Sequence, residues 1–217
     1  MSHPRKSPLV ILGTGLFAEE VADYVHGLQQ WDLVCFIEGV DRTKCRNAFL
    51  RRPVMWIEDV GTLESTCVAI CAVGSTKREH FIAQALAAGL RFTTLTHPSA
   101  QVFASATLAE GVIVGAGVVI SAGTHIGAHT IVNRGCLIGH HVDIGSYVTL
   151  GPGCNIAAKS RIGPGTYIGV GAIVADRVEI GSGCMVCAGA LVARDLQDRV
   201  KVAGAPARVL QHDIDRV

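Results

Sequence analysis

The chain has 217 residues, and its 19 lysines and arginines nearly balance its 18 aspartates and glutamates, so no excess charge indicates a nucleic-acid or anionic-membrane surface. Apolar residues make up 49%, which supplies a sizeable core and excludes general disorder. Glycine is abundant at 25 residues, 18 of them after residue 100, whereas aromatic residues are only 5% and no Gly-X-Y period exists; this excludes collagen and indicates two unlike halves.

The first residues look superficially like a secretion signal, because Arg5 and Lys6 precede an apolar stretch, residues 8–16. That stretch runs into Glu19 and Glu20 without a small-residue cleavage site, so we interpret it as a first strand. No uninterrupted apolar segment of about 18 residues exists, which predicts no membrane span. Without a clear secretion signal, the 8 cysteines are expected to be reduced thiols in a cytoplasmic protein.

Predicted strands and helices alternate through residues 1–97. Apolar runs flanked by turn residues predict strands, while Ser75 or Thr76 is expected to cap the second helix and Gly89 to end it. The alternation indicates a parallel sheet covered by helices, of a size that suits one mononucleotide-binding half. The predicted elements are strand 9–13, helix 16–29, strand 33–37, strand 67–73, helix 76–88 and strand 91–95.

A glycine turn lies where the first predicted strand meets the first helix. Gly13, Gly15 and Ala18 match a G-x-G-x-x-A pattern, in which the helix N-terminus can hold a phosphate. The alternative is a tight turn without a ligand. Glu38 lies 23 residues after Gly15, near the place of a ribose-binding acid. The candidate substrate-binding residues of this half are Gly13, Gly15, Phe17, Glu38 and Gly74.

From Val102 onward, an aliphatic residue recurs at every sixth position without an insertion. The following position is usually Gly or Ala, which is expected to allow a tight corner, and the fifth position is small or β-branched. This is the hexapeptide signature of a parallel β-helix, and three hexads per triangular coil predict about five coils. The repeating residues are Val102, Leu108, Val114, Ile120, Ile126, Val132, Ile138, Ile144, Leu150, Ile156, Ile162, Ile168, Val174, Ile180, Val186 and Val192.

Residues 18 apart are expected to stack on neighbouring coils, about 4.8 Å apart. His125, Asp143, Arg161 and Glu179 form one such column, in which like charges never adjoin. An ion pair between Asp143 and Arg161 is the simpler interpretation of their stacking. A catalytic role for Asp143 is the alternative.

Three motifs give the chain a resemblance to the bacterial sugar acyltransferases, which include sialic acid O-acetyltransferases and nucleotide-aminosugar N-acetyltransferases. They are the glycine turn at 13–18, Asn133 placed seven residues before His140, and the tail Val-Ala-Gly-Ala-Pro-Ala-Arg at 202–208. The resemblance covers nearly the whole chain. It implies a Rossmann-like acceptor-binding domain over residues 1–97 and a left-handed parallel β-helix acyltransferase domain over 98–217.

The resemblance implies that His140 is the catalytic base and that Asn133 assists it. Acyl transfer needs a base for the proton of an amine or hydroxyl, and histidine suits that role near neutral pH. Family members usually carry an acid directly after the catalytic histidine, whereas this chain has His141, which we expect to take part in catalysis or to orient the acceptor. The alternative is that both are solvated surface histidines.

The resemblance also implies acetyl-CoA as cosubstrate and a homotrimer, with the coenzyme along the later coils between two subunits. Packing between subunits is the alternative role of the small residues there. The histidines of the repeat do not stack, so no metal is predicted. The expected coenzyme contacts are Ala158, Val170, Ala188, Gly204 and Arg208.

The expected reaction is N-acetylation of a nucleotide-linked 4-amino-4,6-dideoxy sugar. Aminosugar enzymes often carry histidine where this chain has Phe17. Two alternatives to this reaction stay open. One is O-acetylation of a sialic-acid-like sugar or of another acceptor. The other is a non-catalytic trimeric scaffold that senses a ligand.

Overall fold

The computed structural model describes residues 6–215, and the chain divides into two compact units. The first contains the residues up to Gly74 together with Arg78–Leu95, and the second contains Ser75–Lys77 and the chain from Thr96 onward. Arg5, part of the signal-like segment, lies outside the described residues.

The first unit is built on a five-stranded sheet whose strand pairs are all parallel. Residues 9–12 of its central strand are completely buried, because a central parallel strand is covered on both faces. The α-helices are α1 (Leu16–Gly27) and α2 (Glu79–Ala87). The strands are β1 (Ser7–Leu12), β2 (Trp31–Glu38), β3 (Val54–Trp56), β4 (Val68–Cys71) and β5 (Arg91–Phe92), in the order β3-β2-β1-β4-β5.

Three parts of this unit differ from the sequence-based expectation. The segment between β2 and β4 contains β3 and two 3-10 helices, Arg42–Arg46 and Ile57–Thr62, which are too short to produce a periodic pattern. Ser75 Oγ accepts from the backbone N–H of Lys77 at 3.1 Å. The turn that it caps is a 3-10 helix, Thr76–Arg78, which precedes α2. The predicted strand 91–95 is divided, since its end belongs to a separate strand, β6 (Leu95–Thr96).

The second unit is a parallel β-helix with three faces. In each of sixteen two-residue strands, the second residue is one of the sixteen repeating aliphatic residues, so the predicted hexapeptide repeat is confirmed. The strands are β7 (Gln101–Val102), β8 (Thr107–Leu108), β9 (Ile113–Val114), β10 (Val119–Ile120), β11 (His125–Ile126), β12 (Ile131–Val132), β13 (Leu137–Ile138), β14 (Asp143–Ile144), β15 (Thr149–Leu150), β16 (Asn155–Ile156), β17 (Arg161–Ile162), β18 (Tyr167–Ile168), β19 (Ile173–Val174), β20 (Glu179–Ile180), β21 (Met185–Val186) and β22 (Leu191–Val192), followed by β23 (Lys201–Ala203) and β24 (Arg208–Gln211).

Strands 18 residues apart pair in register, as expected for stacked coils. The first face contains every third strand from β7 to β22, the second face every third strand from β8 to β20, and the third face contains β6, every third strand from β9 to β21, β23 and β24. The neighbouring strands from β7 to β23 are parallel, whereas β23 and β24 are antiparallel. The tail strand β24 therefore ends the third face.

The prism interior contains polar groups as well as aliphatic side chains. Thr124 Oγ1 donates to the carbonyl oxygen of Gly139 at 2.8 Å and accepts from the N–H of Val142 at 3.2 Å. The thiol of Cys154 donates to the carbonyl oxygen of Gly169 at 3.1 Å. Small hydroxyls and thiols therefore link successive coils by donating to buried carbonyl groups of the next coil. The same pattern occurs at Thr130, Cys136, Ser160 and Thr166.

Two corner positions of the coil favour glycine for two different reasons. A Cβ on Gly151, directly after the aliphatic position, would lie 2.7 Å from the backbone nitrogen of Val170 in the next coil. Gly153, two residues later, has φ +69° and open space around it, so there the left-handed backbone favours glycine. We expected glycine at the first position to allow a tight corner. The structure gives a different reason at Gly151, where the close approach of the next coil excludes a side chain. His141 and Lys159 also hold the left-handed conformation, with φ 57° and 60°.

Candidate active site

His140 and His141 lie side by side on the corner between the first and second faces, directly after β13. Both are exposed, their Nδ1 atoms are 3.1 Å apart, and their rings meet edge to face at 86°. The N–H of His141 donates to the carbonyl oxygen of Ala122 at 2.9 Å, and the carbonyl oxygen of His140 accepts from the N–H of Lys159 at 3.0 Å. Two neighbouring coils therefore fix the backbone of this pair.

A hydrogen bond between two Nδ1 atoms requires one ring to donate and the other to accept. When Nδ1 of His140 carries the hydrogen and His141 accepts it, Nε2 of His140 holds the free lone pair. This is the tautomer that a general base needs. The geometry therefore allows His141 to orient His140, which lacks the adjacent acid that the resemblance leads us to expect.

Asn133 lies on the other edge of the same face, where the chain turns from the third face to the first. Its side-chain nitrogen donates to the carbonyl oxygen of Leu150 at 2.7 Å, and its backbone N–H donates to the same oxygen at 3.1 Å. Strand β13 lies between Asn133 and His140 along the chain. The two predicted catalytic residues of one chain thus flank the first face from opposite edges.

The five predicted coenzyme contacts fall in three places. Ala158 is one coil from His140 on the same corner, since Gly139 packs against the Ala158 backbone. Val170 and Ala188, both exposed, follow β18 and β21 on the corner that carries Asn133.

The tail supplies the other two contacts. Gly204 has φ +95°, and Arg208 begins β24 opposite Ala203. Arg208, Arg194 and Pro206 help to line a cavity of about 200 Å³ at this end of the β-helix.

The backbone N–H of Ala158 is free to donate, because it has no hydrogen-bond partner within residues 6–215. Pro152 and Pro164 occupy the same hexad position and have no N–H, so the coil itself does not need this donor. An N–H that the fold does not use, one coil from His140, can stabilise negative charge on an acyl oxygen.

The acceptor-binding candidates of the first unit gather at one edge of its sheet. Gly13, Glu38 and Gly74 follow or end β1, β2 and β4, and the carboxyl ends of parallel strands meet at the same edge. Gly13 has φ +108°, and a Cβ there would lie 3.1 Å from Val73 Cγ2 and 3.3 Å from the carbonyl oxygen of Ala72. Gly15 is the N-cap of α1, and Phe17 is half-buried in the first helical turn.

Glu38 is buried, with 6% of its side chain exposed, and its carboxylate is surrounded by donors. Burial alone would raise the pKa of Glu38, but hydrogen bonds from Thr14, from the N–H groups of Val40 and Asp41, and from Lys44 outweigh it and lower that pKa. Lys44 Nζ lies 3.3 Å from both Glu38 Oε2 and Thr14 Oγ1. Lys44 could not be predicted from the sequence, because it lies in the aperiodic segment after β2.

The predicted charge column exists, but its pairing differs from the expectation. His125, Asp143, Arg161 and Glu179 are aligned on the second face. Arg161 pairs with Glu179 at 3.5 Å, with both side chains exposed, and no ion pair joins it to Asp143 in the part of the chain that the structure describes. Stacking brings two carboxylates within reach of Arg161, and its guanidinium bonds the one in the following coil.

All eight cysteines are free, and six are buried. Burial raises the pKa of Cys35 to about 12 and that of Cys71 to about 11, so both thiols are protonated and unreactive. Cys184 and Cys187 have C-x-x-C spacing, but Cys184 is enclosed in the prism, where it donates to the carbonyl oxygen of Gln197 at 3.0 Å. Among residues 6–215, no three His, Cys, Asp or Glu side chains form a group that could hold a metal ion.

Within the same residues, no helix is long and apolar enough to cross a membrane.

Residues 159–194 match the family model described as bacterial transferase hexapeptide (six repeats). A histidine-to-asparagine variant of perosamine N-acetyltransferase from Caulobacter crescentus, solved with CoA and GDP-perosamine, is 30% identical with a TM-score of 0.86, over 94% of this chain and 97% of that chain. This chain belongs to the bacterial sugar acyltransferases of the hexapeptide-repeat type.

Two further structures resemble this sugar acyltransferase along most of its length. The acetyltransferase domain of PglB from Neisseria gonorrhoeae, solved with acetyl coenzyme A, is 29% identical with a TM-score of 0.87, over 95% of this chain and all (100%) of that chain. WeeI from Acinetobacter baumannii, at 22% identity and a TM-score of 0.86 over 93% and 99% of the two chains, shares the fold. A comparison with curated protein sequences gives no match. Membership in an acyltransferase family contradicts the non-catalytic scaffold alternative.

Proposed function

We propose that this sugar acyltransferase moves the acetyl group of acetyl-CoA to the amine of a nucleotide-linked 4-amino-4,6-dideoxy sugar, with His140 as general base. The observation that carries the proposal is the His140–His141 pair on a corner of the β-helix. The likeness to perosamine N-acetyltransferase across 94% of the chain supports the acceptor class. Two variants of that enzyme with one histidine replaced were solved with CoA and GDP-perosamine.

In this mechanism His140 removes a proton from the acceptor amine as its nitrogen attacks the thioester carbonyl. Nε2 of His140 takes the proton, while His141 holds the opposite ring nitrogen. The carbonyl oxygen gains negative charge, which the free N–H of Ala158 stabilises. A C–N bond forms, the C–S bond breaks, and the CoA thiolate takes up the proton that His140 carries.

The proposal includes a homotrimer whose active site is shared between two subunits. His140 and Ala158 lie on one edge of the first face, whereas Asn133, Val170 and Ala188 lie on the other. Two copies placed side by side bring opposite edges together, so one coenzyme molecule can contact both sets. The first face carries exposed apolar side chains such as Leu137 and Ile173, with 48% and 45% exposure, which a neighbouring subunit would cover.

The first unit is the proposed acceptor-binding domain, of Rossmann-like nucleotide-binding type. Gly13, Gly15, Phe17, Glu38 and Gly74 mark its binding edge, and the second unit is a left-handed β-helix in this proposal. Phe17 favours the alternative acceptors, because it offers no proton-accepting atom where aminosugar enzymes often carry histidine. O-acetylation of a sialic-acid-like sugar is therefore the second candidate activity.

Thiol release tests the activity. Acetyl-CoA is supplied with GDP-perosamine, with other nucleotide 4-amino sugars, or with free sialic acid, and the acetylated product is identified by mass spectrometry. His140→Ala should abolish transfer, whereas His125→Ala, which removes an exposed histidine bonded to Thr107 on the second face, should retain it. Full activity of His140→Ala would refute the assignment of the base.

Subunit mixing tests the shared site. His140→Ala and Asn133→Ala are each expected to be nearly inactive alone. If one site needs His140 from one subunit and Asn133 from its neighbour, random mixing of equal amounts should restore about a quarter of wild-type activity. No recovery in mixed trimers, checked by analytical ultracentrifugation, would refute the shared site.

A further inference from the structure

The carboxylate of Glu38 is already saturated by its own chain. Its Oε1 accepts from the backbone N–H groups of residues 39–41 at distances of 2.9 to 3.3 Å. Its Oε2 accepts from the Thr14 hydroxyl at 2.5 Å and from Lys44 Nζ at 3.3 Å. An ionised carboxylate offers about four acceptor positions, so five donors leave no place for a ribose diol.

Lys44 has donor capacity that this network does not use. Its ammonium group has three N–H bonds, and the two contacts to Glu38 and Thr14 account for two of them. The side chain is 49% exposed, so the remaining N–H can reach a ligand in solvent. The buried carboxylate and the hydroxyl hold the cation in place before any ligand arrives.

The start of α1 follows Thr14 directly in the chain. Gly15, the residue after Thr14, is the N-cap of α1 and has no side-chain cap. A Cβ placed on Gly15 would meet nothing within 4 Å, so the space beside the turn is empty. The unbonded N–H groups of a helix start attract an anion, and Lys44 adds a full positive charge next to them.

We propose that Lys44 binds the diphosphate of the acceptor nucleotide. Glu38 is then a positioning residue that holds Lys44 and Thr14 and does not contact the ribose. A compact ammonium is suited to phosphate as a point charge. This inference rests on the proposed function, because it requires the acceptor to be a nucleotide-linked sugar.

Calorimetric titration of the full-length protein with GDP, UDP and the corresponding nucleosides tests the inference. Lys44→Met should weaken binding of the diphosphate that the wild type binds by about tenfold or more, while nucleoside binding changes little. Lys44→Gln, which keeps a donor for Glu38 and Thr14 but removes the charge, should weaken diphosphate binding similarly. Arg46→Met removes a charge from the same exposed 3-10 helix and should leave the affinity unchanged.

Thermal unfolding of each variant checks that it folds, and a folded Lys44→Gln suffices if Lys44→Met does not fold. Equal affinity of wild type and Lys44→Gln for the diphosphates would overturn the inference, as would failure of the wild type to bind either diphosphate. Acetyl transfer to nucleotide aminosugars by the wild type is measured separately. That activity decides the proposed function whichever way the titrations end.

Discussion

Replacing His141 tests whether a second imidazole does the positioning that an acid does in other family members. His141→Gly is the informative change, because glycine accepts the φ of 57° at this corner while removing the Nδ1 that lies 3.1 Å from His140. An exposed neutral hydrogen bond is worth about 1 kcal/mol, and one to a charged group about 1.5 to 3 kcal/mol. His140 becomes charged only as it takes the proton, so the loss falls mainly on the transition state.

The variant loses the bond in both states, so kcat falls by the difference of about 0.5 to 2 kcal/mol, which is about 2- to 30-fold. The KM values for acetyl-CoA and for the acceptor should stay nearly unchanged, since the interaction strengthens only during proton transfer. His141→Asn should recover much of kcat, because asparagine tolerates the left-handed conformation and its side-chain oxygen accepts a hydrogen bond. Thiol release at saturating substrates gives kcat, and thermal unfolding confirms that each variant folds.

Two results would contradict this reasoning. Wild-type kcat in His141→Gly would mean that the contact with His140 has no catalytic role. Equal kcat values for His141→Gly and His141→Asn, both well below wild type, would mean that His141 acts through something other than accepting a hydrogen bond.

Three further predictions concern stability. Gly151→Ala should lower the free energy of unfolding by about 3 kcal/mol, because its methyl group overpacks against the next coil. Gly153→Ala should lower it by about 1 kcal/mol, because alanine is strained at the left-handed φ. Similar losses in urea unfolding would contradict the two separate causes. Cys154→Ser keeps a donor for the carbonyl oxygen of Gly169 and should cost less than Cys154→Val, which removes one of the two hydrogen bonds to that oxygen and leaves the one from the N–H of Ala172. The loss of one hydrogen bond should cost about 0.5 to 1.5 kcal/mol, again by urea unfolding, and equal stability of the two variants would contradict it. The folded pKa of Glu38 lies below its ordinary 4.5, so its contribution to the free energy of unfolding is complete above about pH 4.5 and is lost as pH falls through the folded pKa. Glu38→Gln should flatten this acid dependence of the unfolding free energy, and an unchanged slope would refute the prediction.

The β-helix could be predicted from sequence because its interior imposes one side-chain size every six residues. A residue such as Ile144 has neighbours at both 126 and 162, so the repeat extends through many mutually supporting positions. The reason for each corner glycine could not be predicted. Gly151 and Gly153 look alike in the sequence, and only the distance to the next coil separates steric exclusion from backbone conformation.

The candidate site was less accessible from sequence. His140 and His141 are adjacent in the sequence, so their proximity could be predicted. Their Nδ1 contact could not, because it depends on the left-handed backbone of His141. Both glycine and other residues occupy that conformation in this repeat, so the residue type does not reveal it. Lys44 gave no signal, because a short 3-10 helix has no detectable period. Arg161 stacks between Asp143 and Glu179, and the 18-residue spacing alone could not predict which carboxylate forms the ion pair.

The antiparallel strand β24 has a consequence for the solution behaviour of the protein. A parallel β-helix that ended at β23 would present a row of unpaired backbone groups matching the start of another coil, which is a template for fibre growth. β24 covers the edge of β23 with a strand of opposite direction whose four residues are all exposed, and it begins with Arg208. The segment expected to contact the coenzyme therefore also protects the protein against end-to-end polymerisation.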